Sequence, residues 1–104
     1  MEAEKMYTEA IALYRSLSAN EGCEKFEPFL TAACNNAGLF YVFAKKFGEA
    51  ERLLLESLEI RRRFANQVSL EAYKPDIAES LNNLGLFYSE TNMSIPPKIE
   101  HFDR

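Results

Sequence analysis

The stretch "NNAGLFY" at residues 35–41 returns as "NNLGLFY" at residues 82–88, 47 positions further along. Pro28 stands ten residues before Gly38, and Pro75 stands ten residues before Gly85. A phrase of this length written twice in 104 residues implies one structural element used twice. Such a unit buries its apolar face only by stacking on its neighbours.

The surrounding pattern names the element. From Ala3 onward, Met6, Ala10, Leu13, Tyr14 and Leu17 recur at three- and four-residue intervals, the period of a helix with one apolar stripe. Asn20 and Gly22 supply a stop. Pro28 suits the first turn of a second helix, where its missing N–H is no loss. "FLTAACNNAGLFYVFAKK" is apolar on more than one face, so this helix is expected to be packed on several sides. After a break at "KKFG", Ala50, Leu53, Leu54, Leu58 and Ile60 mark a third helix. "NQVSLEAYK" is polar and less periodic, and Pro75 is expected to open a fourth helix. Pro96 and Pro97 end any helix. The expected organisation is a helical repeat domain over 1–92 and an irregular tail over 93–104.

The second and fourth helices carry the repeated phrase. "YTEAIALY" (7–14) and "FGEAERLL" (47–54) share Glu-Ala at an offset of 40, so the first and third are alike as well. The order is B, A, B, A of a two-helix repeat. At about 100° per residue, Cys34, Ala37, Gly38 and Tyr41 share one side of their helix. A mid-helix glycine costs about 1 kcal/mol against alanine, which points to close approach of a partner helix. Small Ala10 and Ala50, each followed four residues later by a large residue, suit that partner. Both Gly38 and Gly85 are expected to work in this way, with Gly38→Ala tolerated.

The spacing Cys34-x2-Ala37-Gly38-x2-Tyr41 … Ala50-x3-Leu54, then Leu81-x2-Leu84-Gly85-x2-Tyr88, resembles the tetratricopeptide repeat, a helical repeat of about 34 residues. "EAERLLLESLEIRRRFA … PDIAESLNNLGLFY" is closer to the longer variety found in kinesin light chains and many bacterial arrays. The resemblance spans residues 3–90. It implies an all-α fold of antiparallel helix-turn-helix repeats stacked as a right-handed superhelix of about four main helices. Two departures stand out. The segment between Ala50 and Pro75 is long for the family, and the chain opens on a B helix and ends on an A helix.

Composition narrows the functional classes. The net charge is −4, which argues against nucleic-acid binding through phosphate neutralisation. No apolar run approaches the roughly 20 residues of a membrane span, and "MEAEKMYTEA" has no apolar signal core. A cytoplasmic, non-membrane protein is expected. Cys23 reads as a loop thiol and Cys34 as a core residue; with one histidine, His101, in the tail, neither a metal nor a cofactor is expected. The helical part has no histidine for a nucleophile–base pair, so no enzymatic role is expected. Arg61, Arg62 and Arg63 read as cations closing a helix.

Binding is what remains. On the second helix, Ala32, Asn35, Asn36, Leu39, Val42 and Phe43 turn away from the packed side; on the fourth, Glu79, Asn82, Asn83 and Leu86 do so, with Ser89 and Glu90. The resemblance implies that the A helices line a concave groove and that Asn36 and Asn83 hold the backbone of an extended peptide. The competing account of the asparagines is a tie between stacked helices. A carboxylate-clamping chaperone-binding site does not fit, because Glu79 stands where a cation is wanted. The expected function is non-catalytic binding of a protein or peptide partner. Its rivals are self-assembly through uncapped helical ends, giving a homo-oligomer, and a regulatory ligand-sensing role.

Overall fold

The computed structural model describes residues 2–21, 23–67 and 70–96. Four helices fill it: α1 Glu2–Glu21, α2 Cys23–Phe43, α3 Phe47–Gln67 and α4 Leu70–Thr91. No strand occurs among the described residues. Each helix packs on the next in sequence. Bonds between alternate helices, Arg15 to Glu56 across α1 and α3 and Asn83 to Asn35 across α2 and α4, sort the four into two layers. The shortest extent of 19 Å is about two helices deep at the roughly 10 Å spacing of packed helices. The fold is all-α, a stack of helix pairs in the order B, A, B, A.

α2 is apolar on several faces because α1 and α3 flank it. Leu30, Cys34, Ala37 and Tyr41 are buried there, and Ala50, Leu53, Leu54 and Leu58 meet them from α3. At Gly38 a Cβ would lie 2.8 Å from both Cγ and Cδ2 of Leu54. Leu54 is itself almost fully buried, so it has no free space to retreat into. Even alanine is therefore too large at Gly38, contrary to the sequence expectation. Gly85 differs: among the described residues, nothing lies within 4 Å of the position its Cβ would take. The two glycines share a sequence context but not a contact.

Two further expectations are corrected. Pro28 and Pro75 do not open their helices; each is the sixth residue, after Cys23 and Leu70 respectively. The preceding turns stay helical because their side chains have partners. Tyr73 packs on Phe64 with ring centroids 5.9 Å apart, and buried Glu27 accepts from Arg63 at 3.3 Å. "LEAYK" thus belongs to α4, and Cys23 belongs to α2 instead of a loop. Gly22 and residues 97–104, His101 included, lie outside the described residues.

The repeat register is also settled by geometry. Tyr41 donates to Glu4 at 3.0 Å, and Tyr88 donates to Glu51 at 2.7 Å. Both members of the second pair stand 47 residues after those of the first, so α1 matches α3 at 47. The Glu-Ala match at an offset of 40 is coincidental.

The α2–α3 turn closes with Lys45 at φ 62°. The N–H of Lys46 reaches the carbonyl of Tyr41, and that of Lys45 reaches Val42. This is a Schellman closure, usually made by glycine. Asn92, at φ 61°, ends α4 with its N–H on the carbonyl of Tyr88.

Urea denaturation separates the glycines. Gly38→Leu is expected to cost at least about 1–3 kcal/mol by overpacking, and Gly38→Ala to be destabilising too. Gly85→Ala should instead be neutral or stabilising by up to about 1 kcal/mol, through helix propensity alone. Equal effects at the two positions would refute the difference in packing. Lys45→Gly should raise stability by roughly 0.5–1 kcal/mol, by relieving the left-handed residue.

Candidate functional site

Helical spacing sets a stripe of Ala32, Asn36, Leu39 and Phe43 along the outer face of α2, all exposed. The matching stripe on α4, 47 residues on, is Glu79, Asn83, Leu86 and Glu90, of which Asn83 is half-buried. Phe43 is 88% exposed and Leu86 55%, so the two helices hold large apolar groups in water. Val42 is half-buried and packs against the core.

The asparagines divide. Asn35 is buried, and Asn83 donates its Nδ2 to Asn35 Oδ1 at 3.2 Å. That bond ties α2 to α4 directly. Asn36 and Asn82 are exposed. Asn35 and Asn83 thus belong to the interior of the stack, whereas Asn36 and Asn82 offer their amides outward.

Glu79 is not a free carboxylate. Arg61 Nη1 lies 3.2 Å from its Oε1, 2.9 Å from the carbonyl of Asp76 and 2.7 Å from Ser80 Oγ. Arg61 is buried and ties the end of α3 to α4. Arg63 turns the other way, to Glu27 of α2. The arginine run therefore does not close a helix, because α3 continues to Gln67. Arg61 and Arg63 instead clamp the neighbouring helices. Sequence reading missed these roles, although the burial phase of α3 carries a signal: Leu54, Leu58, Arg61 and Ala65 fall on one face.

Two clefts open elsewhere. One of about 250 Å³ lies among the start of α2, the end of α3 and the start of α4, lined by Glu27, Phe64, Tyr73 and Asp76 among others. The second, of about 140 Å³, lies between α1, α2 and α3 beside Tyr7, Arg15 and Tyr41. Neither includes a residue of the exposed stripes.

The titratable groups are structural. Burial, reinforced by Glu56, pushes the Cys34 thiol up to about 12, which keeps it protonated and unreactive at neutral pH. Burial and the bond to Glu51 raise Tyr88, and burial with Glu4 raises Tyr41. Among the described residues no group of His, Cys, Asp and Glu could hold a metal ion. No helix among them is long and apolar enough to cross a membrane.

The segment holding Gly38 and the small-on-large packing opposite it, residues 30–64, matches the family model described as tetratricopeptide repeat. Residues 30–64 are a tetratricopeptide repeat. Comparisons with curated proteins and with solved structures each return no match. Tetratricopeptide repeats generally mediate protein–protein interaction and are non-catalytic modules. In this chain the matched repeat takes in the exposed α2 stripe, Asn35 of the inter-helix tie, and the buried Leu54 contact.

Thermal and urea unfolding distinguish the asparagines. Asn35→Ala leaves Asn83 without its buried acceptor and should cost about 1–3 kcal/mol, while Asn36→Ala should change stability little. Tyr88 gives a pH signature. Its folded-state pKa lies above the ordinary 10.0, so its contribution is complete below pH 10 and is lost as pH rises past that value. Tyr88→Phe should lower stability by about 0.5–1.5 kcal/mol at neutral pH and flatten the alkaline decline. An unchanged alkaline limb would show that Tyr88 does not carry it.

Proposed function

We propose that this chain is a non-catalytic binding module that holds an extended segment of a partner protein along the outer faces of α2 and α4. The observation that carries the reading is the pair of parallel exposed stripes on neighbouring A-type helices. Exposed Leu39 and Phe43 share the α2 stripe with the outward amide of Asn36, and exposed Leu86 lies on the α4 stripe. Apolar groups of this size gain by leaving water, and a carboxamide offers one donor group and one acceptor to a peptide backbone. The general role of tetratricopeptide repeats supports the same class of function.

The stripes suggest what the partner looks like. Phe43 and Leu39 on α2 favour an apolar residue. Glu79 and Glu90 on α4 disfavour an acidic one, although Arg61 offsets the charge of Glu79. Asn83, already bonded to Asn35, contributes to the wall and not to the ligand. A neutral or mildly basic extended segment with apolar anchors is the best fit.

Peptide display against the whole chain supplies a ligand for the test. Phe43→Ala and Asn36→Ala should each weaken the selected peptide about 2–10-fold, at the magnitude of one modest contact. Both variants should melt as the parent does, since both sites are exposed. Glu79→Lys should move selection toward acidic peptides. Peptides whose affinity is indifferent to Phe43 and Asn36 would reject the groove as the binding surface.

A further inference from the structure

The 47-residue register pairs residues 2–20 of α1 with residues 49–67 of α3, and the comparison exposes a mismatch in burial. Met6 is 67% exposed, whereas its counterpart Leu53 is 3% exposed. Leu13 is 58% exposed and Leu17 38%, against 5% and 3% for Ile60 and Phe64. The α3 residues belong to the core that α3 builds with its neighbours. The same apolar stripe on α1 faces outward. At the other end of the stack, Ile77, Leu81 and Gly85 of α4 stand where Leu30, Cys34 and Gly38 stand in α2. Leu54 fills the space at Gly38, while among the described residues nothing fills the space at Gly85. One end therefore presents a B-type face and the other an A-type face, and the interior α2–α3 interface shows how two such faces fit.

We infer that these faces join a second copy of this chain head to tail, with α1 of one copy seated on α4 of the next, so that the repeat continues across the junction. The interior interface gives the docking register. Tyr7, the counterpart of Leu54, comes over Gly85, and Met6 and Leu13 enter the positions that Leu53 and Ile60 hold within the chain.

Polar groups agree with that register, independently of the apolar match. The tie from Asn83 to Asn35 has its counterpart across the junction in Asn36 of one copy and Asn82 of the other, both exposed. The ion pair of Arg15 with Glu56, 2.6 Å, links α1 to α3. The same 47-residue step places Arg62 of one copy, already engaged within its own chain, opposite Glu9 of the next, and the two charges are opposite in sign. An interface of two unlike faces adds copies in one direction, giving open chains unless the rotation closes a ring. This assembly uses the two ends of the stack and does not rest on the groove reading, with which it competes for the amides of Asn36 and Asn82.

Sedimentation of the whole chain from about 10 µM to about 1 mM covers the range of a weak interface. The mean mass should rise with concentration above the 11.9 kDa of one chain. Gly85→Arg blocks the tail face and Leu13→Glu blocks the head face. Each alters an open position, so helical circular dichroism should match the parent while self-association falls at least tenfold. Mixing the two variants is the decisive arm, because the intact head of the first fits the intact tail of the second. The mixture should form a two-chain species and nothing larger. A parent that stays at 11.9 kDa throughout would overturn the pairing of copies and leave both faces to other helices. Variants that associate like the parent, or a mixture that stays monomeric beside an associating parent, would overturn the head-to-tail geometry.

Discussion

The approach of α2 and α3 at Gly38 governs the rest of the molecule. With no Cβ in the way, Leu54 sits over the backbone of α2, and Ala50 completes the contact with its carbonyl 3.5 Å from the would-be methyl. The helix propensity lost at a mid-helix glycine is small beside the burial it allows. Once α2 and α3 are fixed at this distance, the remaining helices have defined seats. α1 lies against α2 with Ile11 buried, and α4 lies against α3 with Leu84 and Phe87 buried.

Polar ties then select one stacking register among those that apolar contact would allow. Tyr41 on Glu4 and Tyr88 on Glu51 repeat the same bond at both B-to-A junctions. Arg61 joins α3 to the backbone and side chains of α4, and Asn83 joins α4 to α2. Buried hydrogen bonds add modest net stability, but a slipped register would leave several groups unpaired, which costs more. The ties are thus specificity devices laid over an apolar core. They also engage Asn35, Asn83 and Glu79 in contacts within the stack.

What remains on the surface divides into two kinds. The outer stripes of α2 and α4 combine exposed apolar side chains with polar ones. The ends of the stack combine apolar faces with groups that reproduce contacts already made inside. The distinction follows from repeat symmetry. An interior contact copied by one repeat length either meets its partner within the chain or arrives at an end.

Much of the architecture was legible in the residues. The doubled phrase, the helical periodicity and the prolines and glycines gave the helix number, the order of types and the breaks near Lys45 and Asn92. Local periodicity could not give the start of α2 and α4, because the turns before Pro28 and Pro75 are held by Glu27 with Arg63 and Tyr73 with Phe64, partners remote in sequence. Nor could it tell Gly38 from Gly85, or Asn35 from Asn36. The sequence by itself determined which faces are apolar and that the unit repeats, since both are properties of spacing along one chain. Only the tertiary structure decided which of two identical-looking residues is covered. Burial depends on the neighbour: α3 lies over Gly38, and among the described residues none lies over Gly85.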